Sequence, residues 1–315
     1  MTAVRRTALA GILCVVGASL VFSVNDVSIK FLSGDYALHQ VVLTRAVVGM
    51  AVLLLIMLPF QGGLSTLRTG KLHLHLIRGL CVVFSNLCYF LGLAALPLAD
   101  AVAIFFIAPL MITALSVVML GEVVGPRRWA AVGVGLLGVV IMVRPGSAAF
   151  QIAAILPVIS ALAYAMMHMM TRRMGGTESA ITMTFYVQAC FVVVSLMFGL
   201  TVGDGHLAQQ SDASLAFLFR AWVWPEPFDW LIMVVIGVSS SIGGLLIAQA
   251  YKLCEAALVA PFEYASMPLA VIWGVTVFGT WPDAVAWVGI ALICGAGLYV
   301  FWREAVIARR RDRIR

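Results

Sequence analysis

The chain alternates long apolar runs with short polar breaks, and the segment 97–146 shows this pattern clearly. The run from Ala101 to Leu120 has 20 residues without a charge, and the run from Trp129 to Val143 has 15. About 20 apolar residues allow a helix to cross the hydrocarbon core of a bilayer. The polar break between the runs contains Gly121, Glu122, Arg127 and Arg128. The pattern predicts a helical hairpin in a membrane.

Over the whole chain, the same pattern predicts an all-α polytopic membrane protein with ten transmembrane helices. The predicted helices cover residues 8–31, 39–60, 74–95, 100–120, 126–144, 150–171, 179–202, 229–252, 257–279 and 283–303. Most connections are short. The exception is 203–228, whose acidic and aromatic side chains predict a wet external loop that returns to the membrane interface. Residues 304–315 form a basic tail.

The second half of the chain repeats the layout of the first. Pro109 and Pro268 each lie within an apolar run, and aligning them sets Leu-Gly-Glu at 120–122 against Phe-Gly-Thr at 278–280 after a one-residue gap. We expect a helix kink at each proline. The two copies cover residues 8–144 and 150–303. Because each copy has an odd number of helices, the copies should lie in opposite orientations around a central cavity.

Composition excludes a soluble protein. Hydrophobic residues make up 63% of the chain and charged residues 11%, whereas soluble domains carry roughly 25% charged residues. The net charge of +6 does not indicate nucleic-acid binding, because no such motif accompanies the basic residues. With the N-terminus inside, 16 of the 20 Lys and Arg residues fall on the cytoplasmic side. This predicts cytoplasmic N- and C-termini in an inner (plasma) membrane.

Short motifs in the first half carry a family resemblance. They are Pro-Leu-Ala-Asp-Ala at 97–101, Phe-x-x-x-Pro-Leu at 105–110, Leu-Gly-Glu at 120–122 and Arg-Pro-Gly at 144–146. Together they resemble the EamA family of the drug/metabolite transporter superfamily. The resemblance covers roughly residues 10–145 and 150–302 as two EamA repeats. One departure is Thr280, which stands where the second copy usually repeats the glutamate, so that Glu122 has no counterpart.

The resemblance implies a ten-helix carrier for small organic metabolites, such as amino-acid derivatives, nucleoside-like molecules including S-adenosylmethionine, or vitamins including riboflavin. The chain has no P-loop, His-Glu-x-x-His or Gly-x-Ser-x-Gly motif. We therefore expect a secondary transporter with no catalytic residues, metal or cofactor, in contact with a substrate and the lipid bilayer. Proton coupling, and the choice between monomer and homodimer, stay open. The alternatives are an uncoupled facilitator or channel and a membrane-embedded enzyme or sensor.

Charged residues at membrane depth are the first candidates for function, because burying an unpaired charge there is costly. Asp26, next to Asn25, and Arg45 lie at similar depth on consecutive predicted helices. Their pairing could lock the two helices together, or they could form an outer gate or substrate contact.

Glu263 is a sharper candidate, because its counterpart in the first copy is the apolar Ile104. Together with Tyr264 and the nearby Pro268, it could form a proton or cation site. The alternative is a hydrogen-bonded structural role with Tyr251, Gln249 or another helix as partner.

The remaining polar candidates lie within predicted helices, where most such residues stabilise helix packing. The candidates for substrate contact are Asn86, Tyr89, Tyr164, Gln188 and Gln249. His168 lies near Arg172 and Arg173, which predicts a hydrated histidine. A cytoplasmic turn clamp is predicted between two of the helices, in which the opposite charges of Glu122, Arg127 and Arg128 hold the turn together. Glycines on helices five and ten, such as Gly138 and Gly289, predict close packing within the monomer, with a dimer interface as the alternative.

Overall fold

The structure is a computed structural model that describes residues 3–57, 59, 63–121, 125–144, 151–174, 177–209, 211–254 and 259–314. The described part of the chain contains helices and no strand. Its α-helices are α1 Ala3–Leu32, α2 Leu38–Val52, α3 Leu72–Ala95, α4 Leu98–Phe105, α5 Ala108–Leu120, α6 Pro126–Val143, α7 Ile155–Met174, α8 Ala180–Val202, α9 Ala213–Phe219, α10 Pro227–Leu253, α11 Ser266–Phe278 and α12 Ala284–Ile314. Shorter segments are the π-helical turn Leu53–Met57 and the 3₁₀ segments Gly63–Leu67, Ile152–Ala154 and Ala260–Ala265.

Among these residues, seven helical segments are long and apolar enough to cross a membrane, and three further apolar helices are shorter. The shorter ones are Trp129–Val143, Phe262–Phe278 and Ala284–Tyr299. These positions correspond to the ten predicted helices. The prediction of an all-α polytopic membrane protein is therefore confirmed.

Two predicted helices are interrupted rather than continuous. The helix predicted at 100–120 divides into α4 and α5 at Phe106 and Ile107. The helix predicted at 257–279 is described from Val259 onwards, where a 3₁₀ segment, Ala260–Ala265, precedes α11. A proline ring clashes with the carbonyl four residues earlier, which here belongs to Phe105 and to Tyr264. Each interruption therefore lies about one turn before its proline, and not at the proline itself.

Three other boundaries differ from the prediction. Helix α2 ends at Val52 and is followed by one π-helical turn, Leu53–Met57, within the helix predicted for 39–60. Segment 203–228 contains the short helix α9 and packs on α3. The arginine-rich residues 304–314 continue α12 beyond the predicted helix end at residue 303, in keeping with arginine being a good helix former.

The two halves correspond closely at α5 and α11. Each helix has 13 residues and ends at a glycine in the left-handed conformation, with φ of 68° at Gly121 and 65° at Gly279. Glycine adopts this conformation without the steric cost that a Cβ would bring. This agrees with the alignment of the two Gly-containing motifs, while the bounds of the two copies stay a prediction.

Helices α6 and α12 pack against each other through facing glycines. A Cβ added to Gly138 would lie 3.0 Å from the carbonyl oxygen of Gly289, and a Cβ added to Gly289 would lie 3.0 Å from the carbonyl oxygen of Gly138. The contact is therefore reciprocal, as expected of duplicated helices. The interpretation of these two glycines as packing residues within the monomer holds.

Basic residues at the end predicted to be external all have partners in the protein. The Lys30 ammonium donates to the carbonyls of Leu93 and Leu96 at 2.8 and 2.7 Å, near the C-terminal end of α3, where a cation is favoured. Arg144 pairs with Asp283 at 2.6 Å. Hydrogen bonding from Arg144 lowers the pKa of Asp283 below its ordinary value. These charges are therefore paired or hydrogen-bonded within the protein.

Within segment 203–228, helix α9 and Arg220 pack on the ends of α1 and α3 and on the start of α2. Phe217 of α9 is fully buried, and Ser214 donates to the carbonyl of Leu91 at 2.7 Å. Arg220 donates to the carbonyls of Ser33 and Tyr36 at 2.9 and 3.2 Å. The predicted wet loop is therefore only partly wet, because buried apolar and polar contacts attach it to the bundle.

We expect Gly138→Ala to destabilise the protein by about 1 to 3 kcal/mol, because the added methyl group would overpack the contact between α6 and α12. Thermal unfolding in detergent measures the effect. Gly133→Ala is the matched control, since a Cβ there would meet nothing within 4 Å. Equal melting temperatures for the two variants would contradict the close-packing interpretation.

Candidate functional site

A cavity of about 130 Å³ lies between six helices and the 3₁₀ segment Ala260–Ala265. The helices are α1, α2, α3, α4, α7 and α10. Ser19, Phe22 and Tyr164 line it close to the middle of their membrane-spanning helices. The cavity therefore reaches the depth of the bilayer midplane, where duplicated membrane bundles commonly bind ligands.

The lining side chains follow helical spacing. On α1, Ser19, Phe22 and Asp26 are separated by three and four residues, which places them on one face. On α3, Ser85 and Tyr89 are four residues apart and also line the cavity. A polar face on an otherwise apolar helix is thus the sequence signal for this site.

Asp26 and Arg45 both line the cavity but form no direct ion pair, and both belong to the described residues. Asp26 accepts a hydrogen bond from the Tyr89 hydroxyl at 2.9 Å. Arg45 donates to Oδ1 of Asn86 at 3.3 Å. The structural pairing weighed from the sequence is therefore not seen as a direct contact, and each charge has another hydrogen-bond partner.

The guanidinium of Arg45 lies between two aromatic rings. Its central carbon is 5.4 Å from the ring centroid of Phe90 and 4.5 Å from that of Phe191. A cation over an aromatic face is attracted by the ring quadrupole, and the effect is stronger away from water. The rings therefore help to keep the charge of Arg45, which is 3% exposed, inside the bundle.

Glu263 lies at another part of the cavity wall, in the 3₁₀ segment, and is 6% exposed. Its carboxylate accepts hydrogen bonds from the hydroxyls of Tyr164, at 3.1 Å, and Tyr251. Tyr251, named as a partner from the sequence, is thus observed, together with Tyr164 from another helix. Gln249 neither bonds Glu263 nor lines the cavity in the described structure.

His168 is buried beside this group, at 1% exposure, and the prediction of a hydrated histidine is wrong. Its ring centroid lies 4.2 Å from that of Tyr164 and 3.8 Å from that of Tyr251. Neither ring nitrogen has a hydrogen-bond partner within the described part of the chain. The neighbouring arginines gave a misleading signal, because proximity to charges along the sequence does not determine which way a helix face points.

Tyr264 joins the two interrupted helices and does not line the cavity. Its hydroxyl donates to the carbonyl of Phe106 at 3.0 Å, in the break between α4 and α5. Gln188 also lies away from the cavity and donates to Ser240 at 3.3 Å. Other residues that the sequence suggested for substrate contact do line the cavity, namely Asn25, Asn86, Tyr89 and Tyr164.

The predicted turn clamp cannot be traced as a unit, because Glu122 and the side chain of Arg128 lie outside the described residues. Arg127 is exposed and lines an apolar groove with Gly295 and Tyr299. Arg127 does not line the central cavity.

Aromatic rings complete the cavity, and sequence reasoning missed their role. The rings of Phe105 and Tyr89 have centroids 5.0 Å apart, and those of Phe105 and Tyr164 are 5.2 Å apart. Phe22 and Phe106 line the same space. One arginine, two carboxylates and an aromatic wall suit the binding of a molecule with polar groups on a flat apolar body.

The chain is similar in sequence to known transporters. A model of the EamA-like transporter family matches residues 9–144. A riboflavin transporter of Rhizobium johnstonii is 30% identical over 308 residues, which cover 97% of this chain and 94% of that protein. An S-adenosylmethionine uptake transporter of Rickettsia prowazekii is 25% identical over 299 residues, which cover 95% of each protein.

A protein of known crystal structure shares the fold. It superposes with a TM-score of 0.68 at 21% sequence identity, over 96% of this chain and 98% of the other. The two sequence alignments cover almost the entire length of this chain and of each relative. This chain therefore belongs to the EamA-like transporter family.

Proposed function

We propose that this protein is a secondary transporter that carries a small organic metabolite across the inner membrane by alternating access. The observation that carries the proposal is the polar and aromatic cavity at midplane depth, lined by helices from both halves of the chain. Relatives that align over nearly the full length transport riboflavin or S-adenosylmethionine, which supports a small-metabolite transporter and argues against an enzyme.

The size of the cavity supports a conformational cycle. The cavity has a volume of about 130 Å³, whereas ligand pockets usually have about 300 to 1,000 Å³. A metabolite of the size of riboflavin therefore requires the helices to move apart. The interruptions before α5 and α11 provide places where the backbone can bend without breaking a continuous helix.

Glu263 is our candidate for the coupling residue. Among the described residues it forms no ion pair, and its two observed side-chain partners are the neutral Tyr164 and Tyr251. Protonation would remove a buried charge that has no cationic partner, which suits the site for proton exchange. Because Glu263 also lines the cavity, substrate binding could alter that exchange directly.

We expect Glu263→Gln to abolish accumulation driven by a pH gradient while preserving substrate exchange, because glutamine cannot release a proton. Proteoliposomes containing the purified protein would be tested with labelled riboflavin and labelled S-adenosylmethionine, with and without a gradient. Glu226→Gln is the matched control, since Glu226 is exposed in segment 203–228. Unchanged accumulation in Glu263→Gln would reject coupling through Glu263 and favour an uncoupled facilitator.

We expect Tyr251→Phe to lower the free energy of unfolding by about 1 to 3 kcal/mol, because it removes a donor to the buried Glu263 carboxylate. The loss should be smaller in a Glu263→Gln background, and a double-mutant cycle from thermal unfolding measures the difference. Tyr299→Phe is the control, because Tyr299 is 41% exposed. Strictly additive effects would show that the Tyr251 hydroxyl does not stabilise the Glu263 charge.

A further inference from the structure

The cavity wall holds an arginine with only part of its hydrogen-bonding capacity in use. Nη1 of Arg45 donates to Asn86, but Nε and Nη2 are buried without a hydrogen-bond partner in the part of the chain that the structure describes. An unsatisfied buried donor costs free energy, and the cost is greater for a charged group. These two nitrogens therefore point to a ligand.

The two unpartnered nitrogens lie on the same edge of the guanidinium. That edge offers two nearly parallel N–H bonds, which match the two oxygens of a carboxylate. Phe90 and Phe191 flank the guanidinium and Asn86 holds its other side, so three neighbours restrict its orientation. A donor pair held in this way loses little freedom when an acid binds.

Hydrogen-bond acceptors lie on the same cavity wall. Asn25 is 2% exposed, and its Oδ1 is buried without a partner among the described residues. Asp26 accepts from Tyr89 but does not contact Arg45 as an ion pair. A ligand that places a carboxylate on Arg45 would therefore find acceptors close by for an ammonium or another N–H group.

We propose that the cavity binds a zwitterionic amino-acid-type metabolite with its carboxylate on the Nε–Nη2 edge of Arg45 and its ammonium near Asp26 and Asn25. A flat ring in the same molecule would pack against the aromatic wall that contains Phe105 and Tyr164. This assignment of substrate class rests on the proposed transport function.

The competing explanation is that Asp26 moves to the free edge of Arg45 in another conformation. Arg45 would then be a gate residue and would not recognise the substrate. This explanation predicts that removing the carboxylate from a ligand has no effect on its affinity.

The first test compares ligand pairs on the unaltered full chain in detergent. Thermal-shift titrations would use S-adenosylmethionine against decarboxylated S-adenosylmethionine, and L-tryptophan against tryptamine. We expect at least one acid to bind about tenfold or more tightly than its decarboxylated partner, because a charge-assisted bidentate contact is lost. Equal affinities within both pairs, or no shift with either acid, would overturn the proposal.

The second test uses Arg45→Lys, which keeps the charge but removes the two-donor edge. It should weaken binding of the acid by about tenfold and leave binding of the decarboxylated partner unchanged. Arg45→Gln provides a second variant without a buried charge. Arg144→Lys is the matched control, because Arg144 pairs with Asp283 outside the cavity. Equal losses for acid and amine would overturn the assignment.

Flux in proteoliposomes separates this proposal from the transport proposal. Selective binding of acids without flux would keep the carboxylate site and reject transport of those molecules. Equal flux of acid and decarboxylated partner would keep transport and reject the carboxylate site.

Discussion

The architecture depends on the fact that lipid offers no hydrogen-bond partner to an interrupted backbone. Both interrupted helices therefore turn their breaks toward protein. The hydroxyl of Tyr264, from the 3₁₀ segment, satisfies the carbonyl of Phe106, in the break between α4 and α5. This single bond joins corresponding regions of the two halves, and the central cavity opens beside it. A structural requirement of the backbone thus determines where a polar site can exist.

Helices away from the cavity pack more closely than the helices around it. Helices α6 and α12 approach so closely at Gly138 and Gly289 that either glycine would clash with the other's carbonyl if it carried a side chain. Around the cavity, by contrast, rings such as those of Phe105 and Tyr164 keep the helices apart. Small residues give tight contact where no ligand is needed, and large flat residues leave a space that can widen.

The charged groups divide the cavity into two regions with different capacities. Arg45 has a buried two-donor edge with no partner among the described residues and lies among aromatic rings, which suits recognition of an anion. Glu263 is surrounded by hydroxyl donors and the buried His168 lies behind them, which suits exchange of a proton. Binding and coupling can therefore depend on separate residues in one small space, as the proposed function requires.

The sequence by itself determined the apolar spans, a distortion near each of two prolines and much of the polar lining. Run length identifies a helix that can cross the bilayer, and the steric clash of proline locates a break within one turn of Pro109 or Pro268. Only the tertiary structure decided the partners: it gave Asp26 and Arg45 separate hydrogen-bond partners, paired Glu263 with Tyr251 and buried His168. In helices that are apolar on nearly every side, hydropathy does not specify rotation about the helix axis, so packing between helices determines which side chains meet.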